Sequence, residues 1–214
     1  MTTAPPPLTI QASVYRISAL YDKYSLNYSA FYRHTFLFLA CLSVEEVKHP
    51  RFLETSHDLC VAALLADDIY NFGELLEHAI LKNLVGSPYV FLADLLAAFN
   101  AGNLDALSRL EAPIKGHPAL SAHAAFLQEK LCLMSLAQFL FTQVKNDRRV
   151  AFSEIAAATK VAQDQIEFLL IRAISVGIIR GSIDQVEGFI TVSWIQPRLL
   201  DNEQIGELLK AVEL

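Results

Sequence analysis

Signatures of metal and nucleotide chemistry are missing from this chain. It has no H-E-x-x-H, no paired Cys-x-x-Cys, no G-x-x-x-x-G-K and no G-x-G-x-x-G, so neither a zinc-ligand spacing nor a phosphate cradle is indicated. His34, His49, His57, His78, His117 and His123 never fall four residues apart, the spacing that stacks two imidazoles on one helix face. Cysteine is scarce. Cys41, Cys60 and Cys132 sit singly in apolar stretches, and an odd count without metal spacing predicts reduced, buried thiols in a reducing compartment. No apolar run approaches the ~20 residues of a membrane span. The opening M-T-T-A-P-P-P has neither a basic n-region nor an apolar h-region, so no signal peptide is expected. Its run of prolines favours extended chain over residues 1–8.

Charge is low as well. Charged residues make up 19% of the chain against 53% hydrophobic, with a formal net charge of −6. That balance excludes a polar disordered chain, favours solubility and disfavours non-specific contact with nucleic acid. With 214 residues the chain can bury a substantial core, as one large or two coupled domains. Catalytic groupings are equally thin. Gly86-Ser87 and Gly181-Ser182 do not form a nucleophile elbow. Asp67 and Asp68 would point ~100° apart on a helix and read as a solvated helix end. Cys60 follows His57 by three residues, but apolar surroundings predict a packing pair rather than a thiolate. No catalytic residue, metal site or cofactor is expected.

What is present is helix after helix from about Thr9 to Asn146. Tyr15 to Tyr24 and Ala30 to Leu42 carry apolar residues at three- and four-residue steps. Ser43-Val-Glu-Glu46 has the spacing of a capping box, and His49-Pro50 marks a break. Ser56 to Ile69 predicts another helix, and Asn71 can cap the next, running to about Asn83. Ser87-Pro88 starts a helix to Phe99, Asn100 to Asn103 turns the chain, and Leu104 to Glu111 returns to helix. After Gly116-His-Pro118 a long helix is expected from about Leu120 to Val144. Short joints between paired helices predict a mainly α fold, a right-handed stack of TPR-like hairpins with degenerate repeats over 9–146.

Val150 to Ile195 changes character. Ser153 reads as an N-cap for a helix of about two turns through Ile155, Ala156 and Thr159. A second helix runs from about Gln163 to Val176 and stops at Gly177. Two β-rich runs follow, Ile178 to Asp184 and Phe189 to Ile195, joined by Gln185 to Gly188. Helix, helix and two-stranded wing make a winged helix over 147–196. Such a module often reads DNA through its second helix. Here three basic residues face five acidic ones between Val150 and Ile195, so counterion release has little to act on. Phe168, Leu169, Leu170 and Ile171 in succession put apolar groups all round the second helix and predict burial on more than one side. Strand alternation places Ile190, Val192 and Trp194 on one face, joined by Ile179 and Ile183, with Phe189, Thr191, Ser193 and Ile195 on the other. Past Pro197, Asp201 can cap a last helix to Val212 with Ile205, Leu208, Leu209 and Val212 as one stripe.

The wing and its exit, G-I-I-R-G-S-I-D-Q-V from Gly177 to Val186 and S-W-I-Q-P-R-L-L-D from Ser193 to Asp201, resemble a PCI domain. More narrowly they are similar to the PCI-domain non-ATPase subunits of the proteasome regulatory lid. Two upstream stretches agree, N-F-G-E-L-L from Asn71 and A-F-N-A-G-N from Ala98. The similarity covers nearly everything from Tyr15 onward and is specific in combination. Ala162 departs from it, standing where a Ser or Thr cap is expected before the second helix, at a cost of ~1 kcal/mol. The metal-bearing His-x-His pattern of the lid's deubiquitinase class is absent.

The resemblance implies a scaffold without catalysis, in cytoplasm and nucleus, assembled side by side with other PCI subunits of the lid through winged helices. It also implies more helical repeats before Tyr15 and a helix beyond Val212 that joins a bundle with neighbouring subunits. The residues expected to carry contacts are Ile178, Ile179, Arg180, Ser182, Ile183, Phe189, Thr191, Ser193 and Trp194 in the wing, with Ile205, Leu208, Leu209 and Val212 after it. An unpaired strand edge is the physical basis, because it can extend into another chain's sheet. Rival readings are a PCI scaffold of the signalosome or of a translation-initiation factor, and a nucleic-acid-binding winged helix supported by Arg148, Arg149 and Arg172. No membrane partner is expected.

Overall fold

The computed structural model describes residues 7–143 and 148–197. The chain is mainly α-helical with one three-stranded antiparallel sheet, and it divides into two compact units. The helix expected from Asp201 to Val212, with Ile205, Leu208, Leu209 and Val212, lies outside the described residues, as does the start through Pro6.

The first unit gathers the chain up to Ile69 with Leu75–Leu96 and Ala112–Ala124. Helix α1 (Leu8–Tyr24) packs on α2 (Tyr28–Ala40), and Asn27 caps α2 by accepting from Ala30 N at 3.1 Å. The capping box at α3 (Val44–Val47) forms as expected: Ser43 Oγ accepts from Glu46 N, and the Glu46 carboxylate accepts from Ser43 N. A 3-10 turn, Pro50–Phe52, leads into α4 (Leu53–Leu65). Leu59, Cys60, Ala63 and Leu64 of α4 are fully buried, so this helix is the unit's centre. It packs on α2 and on the 3-10 helix Ala79–Leu84.

Several expected helices are broken. The run from Asn71 becomes α5 (Gly73–Glu77) and then the 3-10 helix, because His78 Nδ1 accepts from Ile80 N at 3.2 Å and restarts the chain. Next come α6 (Phe91–Ala101), α7 (Leu104–Arg109) and α8 (Glu111–Gly116). The last two part at Leu110, since Pro113 has no N–H to give the Arg109 carbonyl. The long final helix is two pieces, α9 (Pro118–Ala122) and α10 (Ala124–Gln143); α9 packs on α4. Cys60 is buried as expected, but Cys41 and Cys132 are only partly covered, and all three are free thiols.

The second unit holds Tyr70–Glu74, Ala97–Glu111 and the chain from Ala125. Phe72 meets Phe99 edge to face at 6.2 Å. Beside them Lys130 is 1% exposed, its ammonium 5.2, 5.3 and 5.7 Å from the rings of Tyr70, Phe72 and Phe126. Ring faces offset part of the cost of burying that charge. Gly102, at φ +63°, turns the chain against α10, where a Cβ would stand 2.7 Å from Ser135 Cα. By length and composition α10 could cross a membrane, which the sequence reading did not expect; half of that stretch is buried within the protein, as befits a core helix.

Within this unit the winged helix runs β1 (Arg149–Ala151), α11 (Phe152–Thr159), a 3-10 turn Gln163–Gln165, α12 (Ile166–Ser175), β2 (Ile179–Asp184) and β3 (Phe189–Ile195). Strand order is β1-β3-β2. Ser153 is not the cap of α11. Ala151 holds that position, and Glu154 reaches back to its N–H at 3.1 Å. Ala162 offers no side-chain acceptor, and the chain takes a 3-10 turn before α12 begins, three residues later than the pattern suggested.

Candidate interaction surface

The wing is set by its register. β3 pairs with β2 from Asp184↔Phe189 through Gly181↔Val192, and then the register shifts so that Arg180 faces Trp194. Ser193 is the extra residue, its hydroxyl donating to the Arg180 carbonyl at 3.0 Å. Gly181 allows the two backbones to close there, since a Cβ would lie 2.4 Å from the Thr191 carbonyl oxygen. A bulge of one residue exchanges the faces of everything after it. Ile190 and Val192 are buried as expected, whereas Trp194 turns outward and is 37% exposed beneath the Arg180 guanidinium, 4.7 Å from its ring.

The expected contact residues therefore separate. Ile178 and Ile179 are buried inside the domain and offer no surface, Ile183 and Phe189 are half-buried, and Arg180, Ser182, Thr191, Ser193 and Trp194 are exposed. β3 is the central strand. Its backbone is taken by β2 on one side and by β1 on the other, as far as Val192 N donating to the Arg148 carbonyl at 2.8 Å. Among the described residues β1 and β2 each have β3 as their only strand neighbour, so both are edges, and Ile179–Asp184 is the longer one. Neither β1 nor the bulge follows from strand alternation alone. A glycine inside a strand pattern, Gly181, was the available signal for the second.

α12 also differs from expectation. Ile166, Leu169, Leu170 and Ala173 face inward, but Phe168 is 66% and Ile171 52% exposed, so the helix is covered on one side. Its charges are committed nearby: Arg172 pairs with Glu129 at 2.9 Å, and Gln185 donates to Glu167 at 2.7 Å. Arg149 lies 3.2 Å from the Phe189 ring and 3.8 Å from the Glu187 carboxylate. These are the cations a nucleic-acid reader would need free.

Among the described residues no three His, Cys, Asp or Glu groups stand together to hold a metal. Burial pushes the Cys60 thiol up to about 12, away from thiolate character. His57 turns to Asp58 at 3.0 Å and to His117 at 2.9 Å, a pairing that sequence distance concealed. Asp67 accepts from Ser29 Oγ and Asp68 pairs with Arg33, so they are not a dyad.

Comparison with known proteins accords with this geometry. Residues 2–96 match the family described as PSD13 N-terminal repeats, and residues 101–194 match the PCI domain. A probable 26S proteasome regulatory subunit rpn9 of Schizosaccharomyces pombe is 40% identical over 199 residues, covering 93% of this chain and 52% of the relative. The 26S proteasome regulatory subunit RPN9 of Saccharomyces cerevisiae is 39% identical over 205 residues, 94% and 52%. The 26S proteasome non-ATPase regulatory subunit 13 homolog A of Arabidopsis thaliana is 40% identical over 204 residues, 94% and 53%. The chain spans about half the length of the curated relatives it matches.

Proposed function

This chain belongs to the PCI-domain family, in the branch that carries PSD13 repeats, and from that premise we propose that it is a non-catalytic scaffold of the 26S proteasome regulatory lid. It holds neighbouring PCI subunits in register through its winged helix, serves ubiquitin-dependent degradation and resides with that complex in cytoplasm and nucleus. The observation that carries the reading is the open edge of β2 with Trp194 and Arg180 exposed beside it. Main-chain groups along such an edge supply affinity, and the flanking side chains select the partner.

The test is an Arg180→Glu, Trp194→Ala double variant in the full-length protein. Affinity purification and mass spectrometry should recover fewer PCI subunits, while circular dichroism of the chain stays that of the wild type. Undiminished recovery would overturn the assignment of this edge.

A further inference from the structure

We propose that the outward face of α1 is a self-association surface, paired with the same helix of a second copy of this chain in an antiparallel, two-fold arrangement. Ile10, Val14, Ile17, Tyr21 and Tyr24 follow one another at alternating steps of four and three residues, the spacing that keeps a seam of side chains against a neighbouring helix. All five are between 53 and 86% exposed, and Leu8 and Leu20 widen the stripe. The other side of the helix is the one that packs: Ala19 and Asp22 are buried there, and Asp22 meets His34 of α2 at 2.6 Å. So long an apolar stripe is more than a lone folded chain ordinarily leaves in water. It belongs to the first unit, whereas the wing belongs to the second.

The flanks and the order of sizes select the occupant. In paired helices the side chains beside the seam choose the partner by charge. Here they are Gln11, Ser13, Ser18, Leu20 and Ser25, none of them charged, in a chain of net charge −6. A like helix therefore meets no repulsion, and an acidic or basic partner finds nothing to select it. Arg16 and Lys23 stand further round the helix, and Lys23 is already held by Glu54 and Asp58 at 2.9 and 2.5 Å. Laid antiparallel at full overlap, Tyr21 of one copy meets Ile10 of the other and Ile17 meets Val14, and the two-fold repeats both pairs. Each layer then sets a larger side chain against a smaller one, the way interdigitating layers fill space; a parallel pair would stack Tyr21 on Tyr21 and Tyr24 on Tyr24. Seating the two stripes would bury on the order of 1,200 Å², where stable interfaces begin. Because α1 is already ordered by its packing on α2, association does not bear the cost of nucleating a helix of 17 residues.

Analytical ultracentrifugation of the 214-residue chain tests the surface. The wild type should sediment as a concentration-dependent dimer whose affinity barely changes with salt, as an uncharged seam requires. Ile17→Glu, at the middle of the stripe, should weaken the dimer about tenfold or more. Its circular dichroism should stay that of the wild type, since the side chain is exposed in the protomer; Ile17→Gln serves should the charge disturb the helix. Orientation is read by oxidation. Ile10→Cys mixed with Tyr21→Cys should cross-link to each other more than either does to itself, above the background of the three free thiols. A monomer at every concentration, a dimer that survives Ile17→Glu, steep weakening with salt, or preferential self-linking of Ile10→Cys would each overturn the proposal.

Discussion

The helical first unit and the winged helix locate their side chains by different devices, and the devices fail differently. In the helical unit most joints are fixed by one polar side chain at a helix start, Asn27, Ser43, His49, His78 or His117. Each satisfies one or two otherwise orphaned N–H groups, and losing one disturbs a turn. In the wing, position follows from backbone register, so one extra residue at Ser193 moves the next side chain to the opposite face. A cap acts locally, whereas a register error travels along the strand.

The largest expected effect separates two residues that the alternation alone would equate. Ile190→Ala removes a fully buried side chain at the centre of the sheet and should cost about 2–5 kcal/mol. Trp194→Ala should cost about 1 kcal/mol, because the bulge has turned the indole outward under Arg180. Urea unfolding of the two variants reads the difference directly; a larger loss for Trp194 would mean that the bulge is misplaced.

That pair also marks how far the sequence could be read. β3 lies at Phe189–Ile195, where its β-rich composition placed it, and the capping box at Ser43 and Glu46 formed as spaced. Both signals are local. The outward turn of Trp194 depends on Gly181 meeting the Thr191 carbonyl across the hairpin, a contact that alternation along one strand cannot register. β1 escaped notice for a similar reason: three residues, Arg149–Ala151, become a strand only because β3 is there to pair with. The broken helices had the opposite cause. Histidine is a weak breaker by propensity, yet His78 Nδ1 accepts from the Ile80 N–H and His123, at the joint of α9 and α10, turns Nδ1 to the Ala119 carbonyl at 2.9 Å, and such bonds show only in three dimensions. Exposure of Phe168 and Ile171 was likewise hidden, since an apolar run does not say which chain covers it.

Next in size, Gly181→Ala should cost about 1–3 kcal/mol, the usual penalty for forcing atoms into a filled place. Hydrogen exchange should quicken in β2 and β3 while the amides of α4 keep their protection, because the fault is confined to the ladder. Equal loosening of α4 would erase the distinction between the two devices.

The smallest effect tests a cap. His117 Nδ1 accepts from Leu120 N at 3.4 Å, which leaves its Nε2–H to donate to His57 Nε2 at 2.9 Å, and His57 in turn donates from Nδ1 to Asp58 at 3.0 Å. Protonating His117 would abolish the acceptor at the cap. Partial burial first, and then the neighbouring His57, hold the His117 pKa below the ordinary imidazole value. The unfolded chain therefore takes up this proton first, so the stabilisation is present above pH ~6.5 and falls away as pH drops through that value. His117→Ala should lose roughly 0.5–1 kcal/mol at pH 7.5. His117→Asn keeps an acceptor at the cap but cannot titrate, so it should hold most of the stability and lose less between pH 7.5 and 5.5 than the wild type. The chain has five other histidines, which makes the difference between variant and wild type, not either slope alone, the decisive measurement. Identical slopes would show that this imidazole joins the helix starts without being held neutral by them, and the device in the helical unit would then be purely steric.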